Sequence, residues 1–419
     1  MNRRTFLKIS AATPAVAAIS SPTNVFASNF SILDKSGEAY WESIRSQFPI
    51  TKNIIFLNNG TMGPSPISVT KAVQDRIAHV DATADYGYDH KALYDAIGRL
   101  INADSSDIAL THNVSEGISI VASGIRMMVG DEVILTNEEH GGGAVPWLAR
   151  AKRHGIVVKF VELHPDDTVM LKRFEEAITP RTRVIAIPHI TCTTGHILPI
   201  KKLSELAHSH GAFCFVDGAH APGMLQVNMK DIGCDAYASC GHKWVLGPKG
   251  TGFLYITKNF REYVMPSWCG AESDKHWDYL GNIDFADDAG RYDFATQSSS
   301  LYAGLTEAIL WQEKIGFAQI EDRVLELSKH LRDGLASLHS SKFTFLTPAT
   351  SLSGITTIKL ANSKRYIDLA HAIEVSHKIR TRIVPEGGLE ANRFSTHIYN
   401  SKKEIDTFVG ALDAALVAV

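Results

Sequence analysis

The sequence predicts an α/β protein with a large domain on a doubly wound, mostly parallel sheet and a smaller C-terminal α/β domain. Short β-branched runs alternate with amphipathic helical stretches between about residues 105 and 257. Several of these runs are continuously apolar, as expected of strands covered on both faces. The length of 419 residues, with 45% hydrophobic and 21% charged side chains, supplies material for two or three domains and excludes disorder for the bulk of the chain.

In order, the strand candidates are Ile108–Thr111, Glu132–Thr136, Val157–Val161, Thr182–Ile187, Ala212–Asp217, Asp235–Ser239 and Gly252–Ile256, seven for one sheet. Helical periodicity falls between them at Glu116–Val129, Ala144–Arg153 and Ile200–His210, the last stopped by Gly211. Strand followed by helix, repeated, favours parallel pairing and puts functional groups at the carboxyl ends of the strands. A long helical pattern from Tyr302 to about Leu338 then leads to strands near Phe343–Leu346 and Gly354–Lys359. A helix near Ser363–Glu374 and a terminal helix near Lys402–Val417 complete the smaller domain. The expected division is 61–310 for the large domain and 311–419 for the small one, with 28–60 packing on the latter.

The first residues are not expected in the mature fold. Met1-Asn2-Arg3-Arg4-Thr5-Phe6-Leu7-Lys8 is followed by a modest apolar stretch from Ile9 to Ile19 and by Val25-Phe26-Ala27. A basic start, a short apolar region and small residues describe a secretory signal over 1–27, and the paired arginines resemble a twin-arginine signal. The apolar run is too short to be a stable membrane anchor. The expectation is a periplasmic protein exported folded by the twin-arginine machinery.

Composition excludes several functions. A formal charge of −3 and a pI near 6.7 leave no polybasic footprint for nucleic acid. The five cysteines (Cys192, Cys214, Cys234, Cys240 and Cys269) form no CxxC pair, which argues against a disulfide framework or a zinc ribbon, and no metal is expected. No GxxxxGK[ST], HExxH or GxSxG occurs.

One stretch carries chemistry. Phe213-Cys214-Phe215-Val216-Asp217-Gly218-Ala219-His220 is followed by Ser239-Cys240-Gly241-His242-Lys243-Trp244. A strand ends in a carboxylate, a histidine lies just beyond, and a second strand delivers a lysine into a crowded, partly apolar turn. Desolvation disfavours an ammonium, and a neutral amine can form a Schiff base with an aldehyde. A strand-end carboxylate can hold a pyridine nitrogen protonated and so make the ring an electron sink. Taken singly, such an Asp is more often a cap and such a Lys more often solvated surface.

The order Ser115-Glu116-Gly117, His140, Asp217-Gly218-Ala219-His220, His242-Lys243, Thr296 and Arg393 resembles the class V aminotransferases, a branch of the fold-type-I pyridoxal-phosphate enzymes. Among branches it looks most like the isopenicillin-N-epimerase-like group, and the likeness runs from Leu57-Asn58-Asn59-Gly60 to Tyr399-Asn400. The resemblance implies pyridoxal 5'-phosphate as cofactor, with Lys243 as the lysine that takes its aldehyde and shuttles the proton. It makes Asp217 the partner of the pyridinium, His220 a neighbour of the phenolic oxygen, and His140 the ring stacked on the pyridine face. Ser115, Glu116 and His242 match the phosphate end, where a helix N-terminus suits an anion. Thr296 matches the threonine that reaches the neighbouring subunit's phosphate, which implies a homodimer. Arg393 matches the arginine that grips a substrate carboxylate through two parallel hydrogen bonds, with Asn59 as a second substrate contact.

Three departures qualify the likeness. Cys240 stands where the family usually has Ser or Thr for the phosphate, and Ala295 replaces its usual glycine before Thr296. Cys192 falls where desulfurase relatives carry Asn, and Arg380-Thr381-Arg382-Ile383-Val384-Pro385-Glu386-Gly387 lacks the nucleophilic cysteine that desulfurases place on this loop, so desulfurase activity is not expected. The resemblance implies an enzyme acting on the amino group of an amino acid or amino-acid derivative, peptide- and siderophore-linked ones included. Aminotransfer stands ahead of epimerisation and elimination, and a cofactor-binding protein without catalysis is the alternative of another class.

Overall fold

The computed structural model describes residues 37–418 apart from residues 52, 339 and 340. The signal segment 1–27 lies outside the described residues. Seven strands form the large sheet: β1 (Ile108–Thr111), β2 (Glu132–Thr136), β3 (Val157–Val161), β4 (Thr182–Pro188), β5 (Phe213–Asp217), β6 (Ala236–Cys240) and β7 (Gly252–Ile256). Their spatial order is β1-β7-β6-β5-β4-β2-β3. β7 runs antiparallel to both neighbours, and every other pair is parallel. Period-2 alternation divides the two faces: Ile108 and Leu110 point into one apolar layer, Ala109 into the other. Helices Val114–Gly124 (α1), Gly141–His154 (α2), Asp167–Ala177 (α3) and Ile200–Ser209 (α4) supply the crossovers that parallel pairing requires.

Two expected helices end differently. The helix expected over Glu116–Val129 is α1, which begins at Val114 and stops at Gly124. Arg126 N–H donates to Tyr263 instead of continuing the helix, and the Arg150 guanidinium takes the Ala122 and Ile125 carbonyls. The pattern expected as one helix from Tyr302 to Leu338 is two, Ser299–Ile315 (α5) and Phe317–Ala336 (α6), broken at Gly316 with φ +108°. Few residues other than glycine adopt that backbone angle. The break redirects the chain: α5 packs on the helices Ile67–Thr83 and His90–Ile101, whereas Leu327, Leu331 and Leu335 of α6 enter the core under the small sheet.

The small sheet is antiparallel, with strands β8 (Phe343–Phe345), β9 (Ile355–Leu360), β10 (Arg382–Val384) and β11 (Ala391–Ser395) in the order β8-β9-β11-β10. Ile55–Phe56 pairs in parallel with Ile379–Arg380, and Leu57 joins the small-sheet core. The residues after Leu57 therefore arrive between the two sheets.

Candidate active site

The site begins where the large sheet ends. Asp217 closes β5, level with Pro188 on one neighbour and Ala238 on the other. Gly218 follows because nothing larger fits: a Cβ there would fall 1.8 Å from Cε1 of Tyr237. The tight turn lets the Asp217 carboxylate accept the Ala219 N–H at 2.9 Å and brings His220 around. One strand over, β6 ends at Cys240, and the next turn delivers Lys243, whose Nζ lies 3.2 Å from Nε2 of His220. Nδ1 of that ring accepts the Trp244 indole N–H at 3.1 Å. Burial, reinforced by the Lys243 charge, holds His220 well below the usual histidine range. With Nδ1 occupied by Trp244, Nε2 is the ring atom that faces Lys243. Burial also pushes Asp217 upward, with the Lys243 charge opposing.

His140 caps α2, its Nδ1 accepting the Gly142 N–H at 3.0 Å, and burial lowers its pKa. Beside it is a group that the sequence reading missed. The Glu139 carboxylate accepts from Thr136 N–H at 3.1 Å and from Thr136 Oγ1 at 2.8 Å. Burial pushes it up to about 8 against those hydrogen bonds, with the Asp217 charge adding. A Cβ on Gly143 would lie 2.7 Å from Glu139 Oε2 and 3.6 Å from Asp217 Oδ2, so the two carboxylates converge there. Adjacency to His140 was the available signal.

The expected phosphate end is assembled in part. Asn113 caps α1, accepting the Glu116 N–H at 3.0 Å. Ser115 lies in the first turn and faces Gly142, where a Cβ would fall 2.3 Å from its Oγ. Nδ1 of His242 is buried without a partner, and burial together with the Lys243 charge brings that ring down to about 4. Glu116 turns back on its own helix start, accepting from the His112 N–H at 2.5 Å and lying 2.8 Å from the His112 ring. Thr296 is exposed, and no hydrogen bond ties it to Lys243, Asp217 or His242.

The opposite wall comes from the small sheet. Arg393, on β11, is buried, and burial lowers its guanidinium to about 9. Nη1 donates to the Cys192 carbonyl at 2.6 Å, and Nη2 to Thr61 Oγ1 at 3.0 Å and Asn58 Oδ1 at 3.3 Å. Asn59 is fully buried, its Oδ1 accepting the Tyr399 hydroxyl at 3.2 Å and its Nδ2 without a partner. The walls meet at Gly60, where a Cβ would lie 3.2 Å from Arg393 Cζ and 3.4 Å from His220 Cε1. The fold thus gathers Lys243, Asp217, His220, His140, Arg393 and Asn59 around one space. Among the described residues no cluster of His, Cys, Asp or Glu could hold a metal ion, and no helix is long and apolar enough to cross a membrane.

The profile of the family described as Aminotransferase class-V matches residues 81–408, and that of the twin-arginine translocation pathway signal sequence matches residues 1–20. The chain belongs to the class V aminotransferase family. It is 30% identical to an isopenicillin N epimerase of Streptomyces clavuligerus, over 90% of this chain and 98% of that protein. It is 28% identical to a probable cysteine desulfurase of Methanothermobacter thermautotrophicus, over 71% and 76% of the two chains. The solved cysteine desulfurase of Thermococcus onnurineus superposes with a TM-score of 0.80 at 25% identity, covering 90% of this chain and 98% of that one. The fold is therefore that of the fold-type-I enzymes, and the cofactor is the family's pyridoxal 5'-phosphate. The residues fit it: a buried strand-end carboxylate, a lysine in the turn after the next strand, an unpartnered His242 Nδ1, and a glycine-cleared space between Ser115 and His140.

Proposed function

We propose that this protein is an exported aminotransferase acting on the amino group of an amino acid or amino-acid derivative, peptide- and siderophore-linked ones included. The observation that carries the reading is the pairing of Lys243 and Arg393 across one space, a proton carrier facing a carboxylate binder. When bound, the cofactor supplies an aldehyde for the amino group and an electron sink for charge developing at the α-carbon. Asp217 would hold the pyridine nitrogen protonated, and His242 with Ser115 and the first amides of α1 would take the phosphate. Arg393 fixes the substrate carboxylate, which aims the α-hydrogen at Lys243 Nζ. Nε2 of His220, 3.2 Å away, orients that amine.

Transamination is favoured over epimerisation because proton transfer on one side is what this site provides for. Epimerisation needs a second proton donor across the substrate plane. The ring expected on that side, His140, has its Nδ1 taken up by the Gly142 N–H, and burial lowers its pKa. The likeness to an isopenicillin N epimerase keeps epimerisation as the second reading. Desulfuration has less support. Among the described residues Cys192, Cys214, Cys234 and Cys240 are buried, Cys269 is exposed, and burial pushes the Cys192 thiol up to about 11.

The deciding assay incubates holoenzyme with an amino donor and a 2-oxo acid in deuterium oxide. New amino acid from the 2-oxo acid supports transamination. Deuterated, stereochemically inverted donor without transfer replaces it with epimerisation. A complete absence of change leaves a cofactor-binding protein without catalysis.

Export to the periplasm is part of the proposal, resting on Arg3 and Arg4 in the matched signal; normal delivery after changing both to lysine would refute it. So is a homodimer in which Thr296 serves the partner's phosphate. Exposed Thr296 and the exposed Trp268, Trp277, Tyr279 and Leu280 nearby in sequence support it, and sedimentation of a fully active monomer would refute it.

A further inference from the structure

Arg382 and Glu386 enter none of the roles above. Arg382 on β10 is the register partner of Arg393 on β11, so two guanidinium side chains leave the same face of the small sheet side by side. Like charges placed there need compensation, and Glu386, in the turn after β10, supplies it through an ion pair with Arg382 Nη2. The pair reaches the site. The Arg382 charge acts on Arg393, His140, His220 and Cys192, and the Glu386 charge opposes it at Arg393, His140 and Cys192. One atom of each partner is spent on the other. Arg382 Nη1 and Glu386 Oε2 are both buried and bond to nothing. A buried donor and a buried acceptor left open on one ion pair are costly unless a ligand completes them.

We propose that Arg382 and Glu386 read the substrate beyond its α-carbon, and that the group they take is an uncharged amide, in a side chain or a peptide bond. This rests on the amino-substrate reading above and narrows it. An amide carbonyl accepts from Nη1 while the amide N–H donates to Oε2, filling both open positions without adding charge. A carboxylate satisfies Nη1 but meets the Glu386 charge, and an ammonium satisfies Oε2 but meets Arg382. Selectivity thus comes from what the pair repels as much as from what it binds. In this segment, where desulfurases carry a cysteine nucleophile, this chain carries a recognition pair.

The test titrates holoenzyme with L-glutamine, L-glutamate and L-alanine and reads the change in the bound cofactor's absorbance, independently of turnover. Wild-type protein is expected to bind L-glutamine about tenfold or more tighter than L-glutamate. Glu386→Gln leaves Arg382 uncompensated and is expected to bring the ratio to unity or reverse it. Arg382→Gln leaves Glu386 uncompensated and is expected to widen it. The two shifts have opposite sign, which general loss of structure cannot produce, and L-alanine reports whether each variant retains its site. An unchanged glutamine-to-glutamate ratio in both variants, with L-alanine still binding, overturns the pair's role and leaves the amino-substrate reading standing. No absorbance change with any of the three amino acids in wild-type protein overturns that reading, and this inference with it.

Discussion

The wall built from the large sheet and the wall built from the small one place their charged groups by different means. Asp217 ends a strand, His220 lies three residues on, and Lys243 follows the end of the neighbouring strand, so parallel register alone brings them together. Arg393 stands within its strand, and what holds it comes from far along the chain: Cys192 is 201 residues away in sequence and Asn58 is 335. One wall is local geometry repeated across a sheet. The other is a buried guanidinium reaching from the small sheet to the segment after β4 and to the residues after Leu57. The large-sheet wall should therefore tolerate loss of a side chain with its fold intact, whereas the small-sheet wall should couple substrate binding to the packing of these distant segments.

Lys243→Ala should give the largest effect. Turnover should fall by about three orders of magnitude or more, since the proposed proton carrier at the α-carbon is removed. No cofactor should remain covalently attached after borohydride reduction, and the thermal midpoint should change little. Attached cofactor after reduction would move the Schiff-base role to another lysine. Arg393→Lys comes next. A lysine keeps the charge but loses the planar fork, so substrate KM should rise by about 10- to 100-fold. The Cys192 carbonyl and the Asn58 and Thr61 oxygens lose their shared donor at the same time, so this variant, unlike Lys243→Ala, should also melt at lower temperature. Equal thermal stability of the two variants would break the distinction between the walls.

The same contrast decides what was legible in the sequence. The seven strands could be read because β-branched runs covered on both faces leave a strong local signal, and Asp217, His220 and Lys243 fall beside those runs. Asn59 and Arg393 could be named only through family likeness, because no periodicity links residues so far apart. The end of α1 at Gly124 was invisible because Arg150 and Tyr263, distant in sequence, compete for its backbone groups. The kink at Gly316 hid inside a continuous apolar pattern. Nothing in the sequence singles out Arg382 and Glu386, because only the strand register sets one of them opposite Arg393.

A prediction on stability rather than turnover sharpens the description of the large-sheet wall, because it tests whether a second carboxyl lies in the same space as Asp217. Glu139 is raised from 4.5 to about 8, chiefly by burial, so the folded protein keeps a proton there that the unfolded chain releases. Between about pH 4.5 and pH 8 the folded state binds more protons than the unfolded one, so this group's contribution to stability falls as pH rises through that window. Below it the carboxyl is protonated in both states, and above it ionised in both, so the contribution is level at either end. The limiting slope for one proton is about 1.4 kcal/mol per pH unit. Glu139→Gln keeps the shape and a carbonyl acceptor for Thr136 while removing the titration. Its stability relative to wild type, measured in urea across pH 5 to 9, should therefore rise steadily to about pH 8 and then level off. A difference between the two proteins that is flat with pH would mean that Glu139 ionises normally beside Asp217.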